Sequence, residues 1–373
     1  MSFAIITLLI AFCSLIVLMI IHEFGHFIIA KKFGVKVEEF GIGYPPRMFG
    51  KQFGETVYSI NWVPLGAFVK IYGEEGGVDD YRSFANLPIF KRILICLGGV
   101  LAFWLAAMVI FTVVFMIGAS VPVGDQDIPG VHTSVAVVDV QANSPASAAG
   151  LQQGDVIVRL QGKTGQISVN TIADFQMFVQ NAKGSLVAVT VNRQGKEVTV
   201  QLTPRASYPT SQGPVGVALE RFADVIGRTQ WYLAPFKGIA YTGTVTVQAL
   251  EGMYGVVASL FQGRGVPQGA QLAGPVGITI FLSQAAMYGP GFFLYFIGSL
   301  TVLLAIFNLF PIPALDGGKL LFLLIEKILG HPVSVKWEQG LTIFFFFLLI
   351  SISIFVTIRF DIPRVIDFWK AGL

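Results

Sequence analysis

The chain has 373 residues, of which 54% are hydrophobic and only 13% are charged, and its mean hydropathy is +0.70. Soluble domains carry about 25% charged residues, so these values exclude an ordinary soluble fold and predict a membrane protein. The formal net charge of +3 is spread along the chain with no basic block interleaved with aromatics, which argues against nucleic acid as a partner. Cys13 and Cys96 both lie in apolar runs, so neither a disulfide framework nor a four-cysteine metal site is expected.

Four apolar runs are long enough to cross a hydrocarbon core of about 30 Å. They lie at 3–30, 92–119, 291–312 and 341–358. The first run has no basic residue ahead of it and contains polar residues, so we expect a retained span and not a cleaved signal peptide. The fold class is therefore a polytopic α-helical membrane protein of about four transmembrane helices, with the first two spans in 1–120 and the last two in 291–373.

The loop between the first two spans carries nine Lys or Arg residues, which cluster beside the membrane at both of its ends. The positive-inside rule places this loop in the cytoplasm. Two further crossings then place residues 120–290 outside the cytoplasm. We expect a multi-pass protein of a bacterial inner (plasma) membrane, in contact with the lipid bilayer.

The first run contains HEFGH at residues 22–26. His22 and His26 are four residues apart, so both imidazoles project from one helix face and can bind the same ion. In zinc hydrolases of this pattern the carboxylate of a residue placed like Glu23 takes a proton from the attacking water and passes it to the leaving amine. The alternative is a polar pair on a solvated face. An ionised carboxylate within a membrane helix costs about 3 kcal/mol and is functional by default, which favours the metal centre.

Between the second and third spans, short Val-rich runs separated by Gly, Asn, Asp and Pro replace the long apolar stretches. They predict strands, an amphipathic helix and a hairpin, which together form a small α+β domain at about 130–205. Its run SPASAAGLQQGDVIVRLQGK resembles the corresponding stretch of PDZ domains, which bind extended peptides at a sheet edge. A spacer domain without a peptide occupant is the alternative. Residues 206–290 are expected to be a connecting and interfacial segment.

Catalytic zinc usually has three protein ligands and keeps its fourth position open, so a third ligand is needed. Asp316 is the candidate, in the run NLFPIPALDGG at 308–318. It follows the third span, which descends towards the cytoplasmic side where His22 also lies. The alternative is that Asp316 caps the helix that begins at Gly317.

Pro311 and Pro313 interrupt what would otherwise be a continuous helix after the third span. Broken backbone at membrane depth is tolerated only where protein or a water-filled cavity surrounds it, and a hydrolase in the bilayer needs such a cavity. Asn308, ahead of the break, would either hold a substrate strand through its amide or bond the freed carbonyls.

The motifs and their order resemble the site-2 protease family, in particular the bacterial RseP-type intramembrane zinc metalloproteases with one PDZ-like domain. HEFGH, the insert after the second span and NLFPIPALDGG occur in the family's order. Three further runs are similar to the family: FGIGYPP at 40–46, VPLGAFVKIYGE at 63–74 and AGPVGI at 273–278. The resemblance covers nearly the whole chain. In two respects the chain departs from many members, which carry two PDZ modules and a Gly-Pro-x-x-Asn run where this chain reads GGVLAF at 98–103.

The resemblance implies a zinc metalloendopeptidase that cuts single-span membrane proteins, of the anti-sigma-factor type, or remnant signal peptides in regulated intramembrane proteolysis. It further implies an upstream site-1 protease that trims the same substrates. The loop at 40–46 would enter the membrane as a β-hairpin and guide the substrate. The implied zinc ligands are His22, His26 and Asp316, the catalytic base is Glu23, and the implied substrate-binding residues are Gly41, Gly43, Asn308, Pro311 and Pro313.

Two functions of other classes compete with the protease. One is a non-catalytic membrane receptor or adaptor that keeps zinc as a structural ion and binds peptides through its PDZ-like module. Structural zinc is normally closed by four protein ligands, and the sequence offers three. The other is a transporter, for which broken helices are a pointer but for which no internal repeat is found.

Overall fold

The computed structural model describes residues 2–74, 80–123, 133–163, 165–193, 195–208, 213–263 and 273–370. The chain divides into two compact units, of which the first is formed by Met1–Met116 with Thr229–Leu373 and the second by Ile117–Arg228. The helices in chain order are α1 (Ser2–Lys32), α2 (Ile89–Ile117), α3 (Pro145–Ala148), α4 (Ile172–Asn181), α5 (Ala234–Phe261), α6 (Pro275–Met287), α7 (Pro290–Asn308), α8 (Asp316–Leu329), α9 (Val335–Val356) and α10 (Ile362–Lys370). The strands are β1 (Val37–Phe53), β2 (Thr56–Ile71), β3 (Ala119–Val123), β4 (Thr133–Val140), β5 (Val156–Gly162), β6 (Gly165–Ser168), β7 (Val187–Arg193), β8 (Lys196–Leu202) and β9 (Val217–Ile226).

Four helices of the first unit are long and apolar enough to cross a membrane, within the residues that the structure describes. Their candidate spans are Ile5–Lys32, Ile89–Ile117, Pro290–Asn308 and Val335–Ile366. They match the four predicted runs, and the polytopic helical fold class is confirmed. The fourth span is longer than expected, because α9 begins before the apolar run and continues through a π-helical turn (Thr357–Asp361) into α10. The run RFDIPRVIDFWKAGL at 359–373 mixes Phe, Ile and Trp with Arg and Lys, which predicts a helix in the membrane interface or a frayed tail. The structure forms a helix there, α10, and 371–373 lie outside the described residues.

The loop between α1 and α2 forms a long antiparallel hairpin of β1 and β2. Phe53 pairs with Thr56 around the two-residue turn, where Gly54 has a φ of +62°, a value that glycine adopts without strain. The hairpin packs on α1 through aromatic side chains. The ring of Phe40 lies 5.6 Å from that of Phe27 and 6.4 Å from that of Phe24. This strand therefore lies beside the turn of α1 that carries the HEFGH residues.

The second unit is an α+β domain built on one antiparallel sheet with the strand order β3-β9-β4-β5-β7-β8, with β6 added to β5. The run TIADFQMFVQNA at 171–182 predicts an amphipathic helix, and α4 forms there. Thr171 and Asp174 make a reciprocal capping box at its start, and Phe175 and Phe178 pack into the core. The run VHTSVAVVDV at 131–140 predicts a strand, and β4 forms within it. The first two residues of this run, Val131 and His132, lie outside the described part of the chain.

The second unit is wider than the stretch 130–205 that the sequence suggested. β3 precedes that stretch and β9 follows it, and the two pair from Ala119↔Ile226 to Val123↔Arg221. β3 follows α2 directly and is itself apolar, so hydropathy alone merges it with the span. The segment 206–290 therefore includes strand β9 of the sheet as well as α5 and α6.

Candidate metal centre

The two histidines of HEFGH lie on the face of α1 that packs against α2. Helix α1 continues without a break to Lys32, so the motif keeps regular helical spacing. The Nε2 atoms of His22 and His26 are 3.3 Å apart. His26 is only 7% exposed, and its Nδ1 lies 2.8 Å from the carbonyl oxygen of Ile95 on α2. This contact orients the ring so that Nε2 faces His22.

Asp316 joins the two histidines. Its Oδ2 lies 3.2 Å from Nε2 of His22 and 3.3 Å from Nε2 of His26. The carboxylate does not cap α8, because Leu315 occupies the N-cap position and no side-chain cap bond is present. The structure thus brings together the three residues that the sequence nominated as ligands, and it decides against the capping alternative for Asp316.

These three donor atoms fit a tetrahedral zinc ion. Zinc bonds of 2.0–2.1 Å place two ligands of a tetrahedral ion about 3.3–3.4 Å apart, and the three separations found here are 3.2, 3.3 and 3.3 Å. Oδ2 of Asp316 is buried and has no hydrogen-bond partner among the described residues, which is costly for a carboxylate unless a cation balances it. Within the described residues the cluster has three members, the number of protein ligands that a catalytic zinc site usually has.

The chain matches a known protein family over most of its length. The sequence profile of Peptidase family M50 matches residues 10–352. The chain belongs to Peptidase family M50. This is the site-2 protease family that the motifs resemble, and this M50 chain is a zinc metalloprotease.

Relatives from several bacteria match over nearly their whole length. A protein of Clostridium perfringens named as a zinc metalloprotease is 33% identical over 356 residues, which covers 95% of this chain and 97% of that protein. One from Clostridium acetobutylicum is 31% identical and covers 97% and 98%, and one from Nostoc is 29% identical and covers 95% of each. Among solved structures, the PDZ domain of the SdrC-like protein of Listeria monocytogenes matches with 20% identity and a TM-score of 0.20. It covers 25% of this chain and 90% of the Listeria domain.

Glu23 of this M50 protease lies beside the three donor atoms and outside their cluster. It is half-buried, and it lies close enough to His26, His22, Asp316 and Glu74 to interact with them electrostatically. A general base must lie close to the reacting water without being a metal ligand, and this position meets that requirement.

The turn between α7 and α8 carries Pro311 and Pro313 as predicted, and it presents Asp316 at the start of α8. Two glycines follow, and each makes room for this turn. A Cβ at Gly317 would lie 2.1 Å from the carbonyl oxygen of Phe310, and one at Gly318 would lie 2.3 Å from that of Ile312. Two successive glycines normally loosen a helix. The structure shows that they let its first turn pack directly on the proline turn.

Asn308 ends α7 and donates its amide Nδ2 to the carbonyl oxygen of Leu304 at 3.0 Å. The amide therefore bonds a carbonyl of its own helix, one of the two uses left open by the sequence. On the hairpin, Gly41 faces the ring of Phe68, and Gly43 has a φ of +77°. Contact of Asn308, Gly41, Gly43 and the two prolines with a substrate stays a prediction.

Sequence reasoning missed the α2 residues that surround the histidines, and it missed two ion pairs near the centre. Lys319, one turn after Asp316, pairs with Glu74 at the end of the hairpin. Arg92 of α2 forms a two-pronged pair with Glu326 of α8. The only signal in the sequence is the presence of Lys, Arg and Glu within otherwise apolar helices.

Proposed function

We propose that this M50 protease hydrolyses peptide bonds of single-span membrane proteins or remnant signal peptides, within or next to the bilayer. The observation that carries the proposal is the meeting of His22, His26 and Asp316 within 3.3 Å of one another. The histidines belong to a candidate membrane span, and Asp316 follows a second one. A hydrolytic centre at this place reaches peptide bonds that soluble proteases cannot.

His22, His26 and Asp316 would hold the zinc ion and Glu23 would act as the general base. When bound, zinc supplies a Lewis acid that polarises a carbonyl and lowers the pKa of water. Glu23 then accepts the proton of the attacking water and delivers it to the leaving amine, so that one carboxylate serves both halves of the reaction. The backbone of the Pro311–Pro313 turn is compatible with a water-filled cavity, because irregular backbone at membrane depth is tolerated where it lines such a cavity or is buried in protein.

Substrates would bind as an extended strand, since a helical peptide hides its carbonyls in its own hydrogen bonds. The hairpin near Gly41 and Gly43 is the proposed pairing edge, because glycine lets another backbone approach closely. Its neighbour Phe40 packs against α1 at Phe24 and Phe27. A strand paired there would run beside Glu23. Asn308, Pro311 and Pro313 would contact it from the other side of the centre.

The proposed location is a bacterial inner membrane, with the centre towards the cytoplasm and the second unit outside. The basic loop between the first two spans supports this sidedness through the positive-inside rule. A second unit outside the cytoplasm would dock or filter substrates by size. Substrates with a large domain outside the cytoplasm would then need prior trimming by an upstream protease, as in regulated intramembrane proteolysis.

The test is cleavage of a generic single-span substrate in liposomes by the native chain, by Glu23→Gln and by Glu197→Gln. Gln at position 23 cannot accept a proton, so the rate should fall about 10²- to 10⁴-fold. Glu197 is exposed on β8 of the second unit and provides the matched control, which should cleave like the native chain.

Equal cleavage by Glu23→Gln and the native chain would reject the assigned base. If no variant cleaves while zinc is bound, the result would favour an adaptor with a structural ion. Zinc content of Asp316→Ala tests the third ligand separately, and undiminished metal would reject it.

A further inference from the structure

The two histidines of the centre are oriented in different ways. His26 has a hydrogen-bonding partner, because its Nδ1 lies 2.8 Å from the carbonyl oxygen of Ile95. The corresponding atom of His22, its Nδ1, is buried and makes no hydrogen bond to any described residue. Metal-binding histidines normally hold their orientation through a hydrogen bond from the second ring nitrogen. Something else must therefore fix the ring of His22.

The contacts of His22 with α2 are steric. The ring of Phe103 stacks on that of His22, with centroids 4.7 Å apart and an interplanar angle of 29°. On Gly99, a Cβ atom would lie 2.4 Å from Cε1 and 2.5 Å from Nδ1 of His22, and 2.4 Å from Nε2 of His26. The rings therefore occupy the space that any side chain at position 99 would need.

Ile95, Gly99 and Phe103 are spaced four residues apart, so they form one stripe along α2 that faces the centre. Two further glycines hold this stripe at close range. A Cβ at Gly25 would lie 2.2 Å from the carbonyl oxygen of Gly98, and one at Gly98 would lie 2.7 Å from that of Gly25. Such close backbone contact is the usual role of small residues between membrane helices.

We propose that the α2 stripe (Ile95, Gly99 and Phe103) positions both zinc-binding histidines. The carbonyl of Ile95 orients His26 through its hydrogen bond, while Gly99 and Phe103 orient His22 by packing on its ring. These are positioning residues that act through the ligands. The inference rests on the proposed zinc site, and it assigns a role to the GGVLAF run at 98–103.

The first test compares Phe103→Leu with Phe111→Leu in the full chain. Both phenylalanines are buried on α2, at 3% and 0% exposure, but Phe111 packs on Tyr241 and Tyr295, away from the histidines. Zinc affinity is measured by competition with a chelator, and the absorption bands of the cobalt(II)-loaded protein report ligand geometry. Loss of a group that orients a ligand costs about 10- to 100-fold in metal affinity. We expect that loss and shifted cobalt bands for Phe103→Leu, and native values for Phe111→Leu.

The second test compares Gly99→Ala with Gly243→Ala, which places the same methyl group on α5 where no atom lies within 4 Å. Gly99→Ala should lose zinc affinity by about 100-fold, and Gly243→Ala should bind like the native chain. Native affinity and native cobalt spectra in both Phe103→Leu and Gly99→Ala would overturn the proposal. Asp316→Ala, measured alongside, distinguishes failure of the zinc site from failure of the α2 stripe. If Asp316→Ala also binds zinc normally, the assigned zinc site is wrong. If only Asp316→Ala loses zinc, the zinc site stands and the α2 stripe is rejected.

Discussion

The backbone N–H of Gly274 donates a hydrogen bond to Oδ1 of Asp361 at 3.1 Å, which joins the start of α6 to the end of the last span. Asp361 is fully buried, and Nη1 of Arg364 lies 3.3 Å from the same oxygen. Any Cβ at Gly274 or Gly277 would lie within 2.6 Å of the carboxylate. The AGPVG run at 273–277 therefore leaves the space that the Asp361 carboxylate occupies, and we call this run the Asp361 socket. The free N–H groups at the N-terminus of α6 are hydrogen-bond donors, and that of Gly274 is satisfied by this carboxylate.

Asp361→Ala should destabilise the first unit by about 3 kcal/mol, because it leaves the Arg364 guanidinium and the Gly274 N–H without their buried partner. Asp361→Asn keeps an acceptor oxygen and should cost less. Thermal unfolding in detergent measures both, with Glu251→Ala at an exposed site of α5 as the control. An unchanged unfolding temperature in Asp361→Ala would contradict the socket.

A second prediction concerns the pair that ties α2 to α8. Nη1 of Arg92 lies 3.0 Å from Oε2 of Glu326, and Nη2 contacts Oε1; both side chains are largely buried. Arg92→Met should destabilise the protein by about 3 kcal/mol, because the largely buried carboxylate of Glu326 has then lost its ion-pair partner. The double variant Arg92→Met with Glu326→Met should recover most of that loss. A double-mutant cycle in chemical denaturation measures the coupling, and strictly additive effects would show that the pair contributes nothing.

The sequence predicted the centre better than its surroundings, and the reasons are physical. His22 and His26 are linked by helical periodicity, and Asp316 is placed by the depth at which its span ends, so both can be deduced from local patterns. The role of Gly99 could not, because a glycine in an apolar run gives no sign of what it faces. Helix α5 was missed since its Thr, Gly and Gln residues lower both helix propensity and hydropathy. The β3–β9 pairing joins segments about a hundred residues apart, which no local pattern reveals.

The second unit should lose stability in acid through Asp155. Burial opposes ionisation of this carboxyl, but two bonds from Arg193, both of 2.7 Å, and the N–H of Gln152 outweigh it and hold the pKa of Asp155 below its ordinary value. Because the folded pKa is depressed, the stabilisation is present above the ordinary pKa of about 3.9 and is lost as pH falls through the folded value. Amide exchange in β5 and β7, corrected for intrinsic rates, should reveal weaker protection below about pH 4. At neutral pH, amide protection in Asp155→Asn should be lower than in the native chain, and it should no longer depend on pH in this range. The same pH profile of protection in Asp155→Asn and in the native chain would refute the assignment.

The glycine pair after Asp316 should be as necessary for zinc binding as the ligands themselves. Gly318→Ala would force a methyl group to within 2.3 Å of the carbonyl oxygen of Ile312, a backbone atom that cannot rotate away. The first turn of α8 must then move off the proline turn, and Asp316 moves with it. Displacing one of three ligands greatly lowers the affinity for zinc. Gly318→Ala should therefore retain little zinc, as determined by metal analysis of the purified protein. Gly340→Ala adds the same methyl group on α9, where no atom lies within 4 Å, and should keep its zinc. Full zinc content in Gly318→Ala would mean that the turn can shift without carrying the carboxylate, and that the contact of Gly318 with Ile312 does not place Asp316.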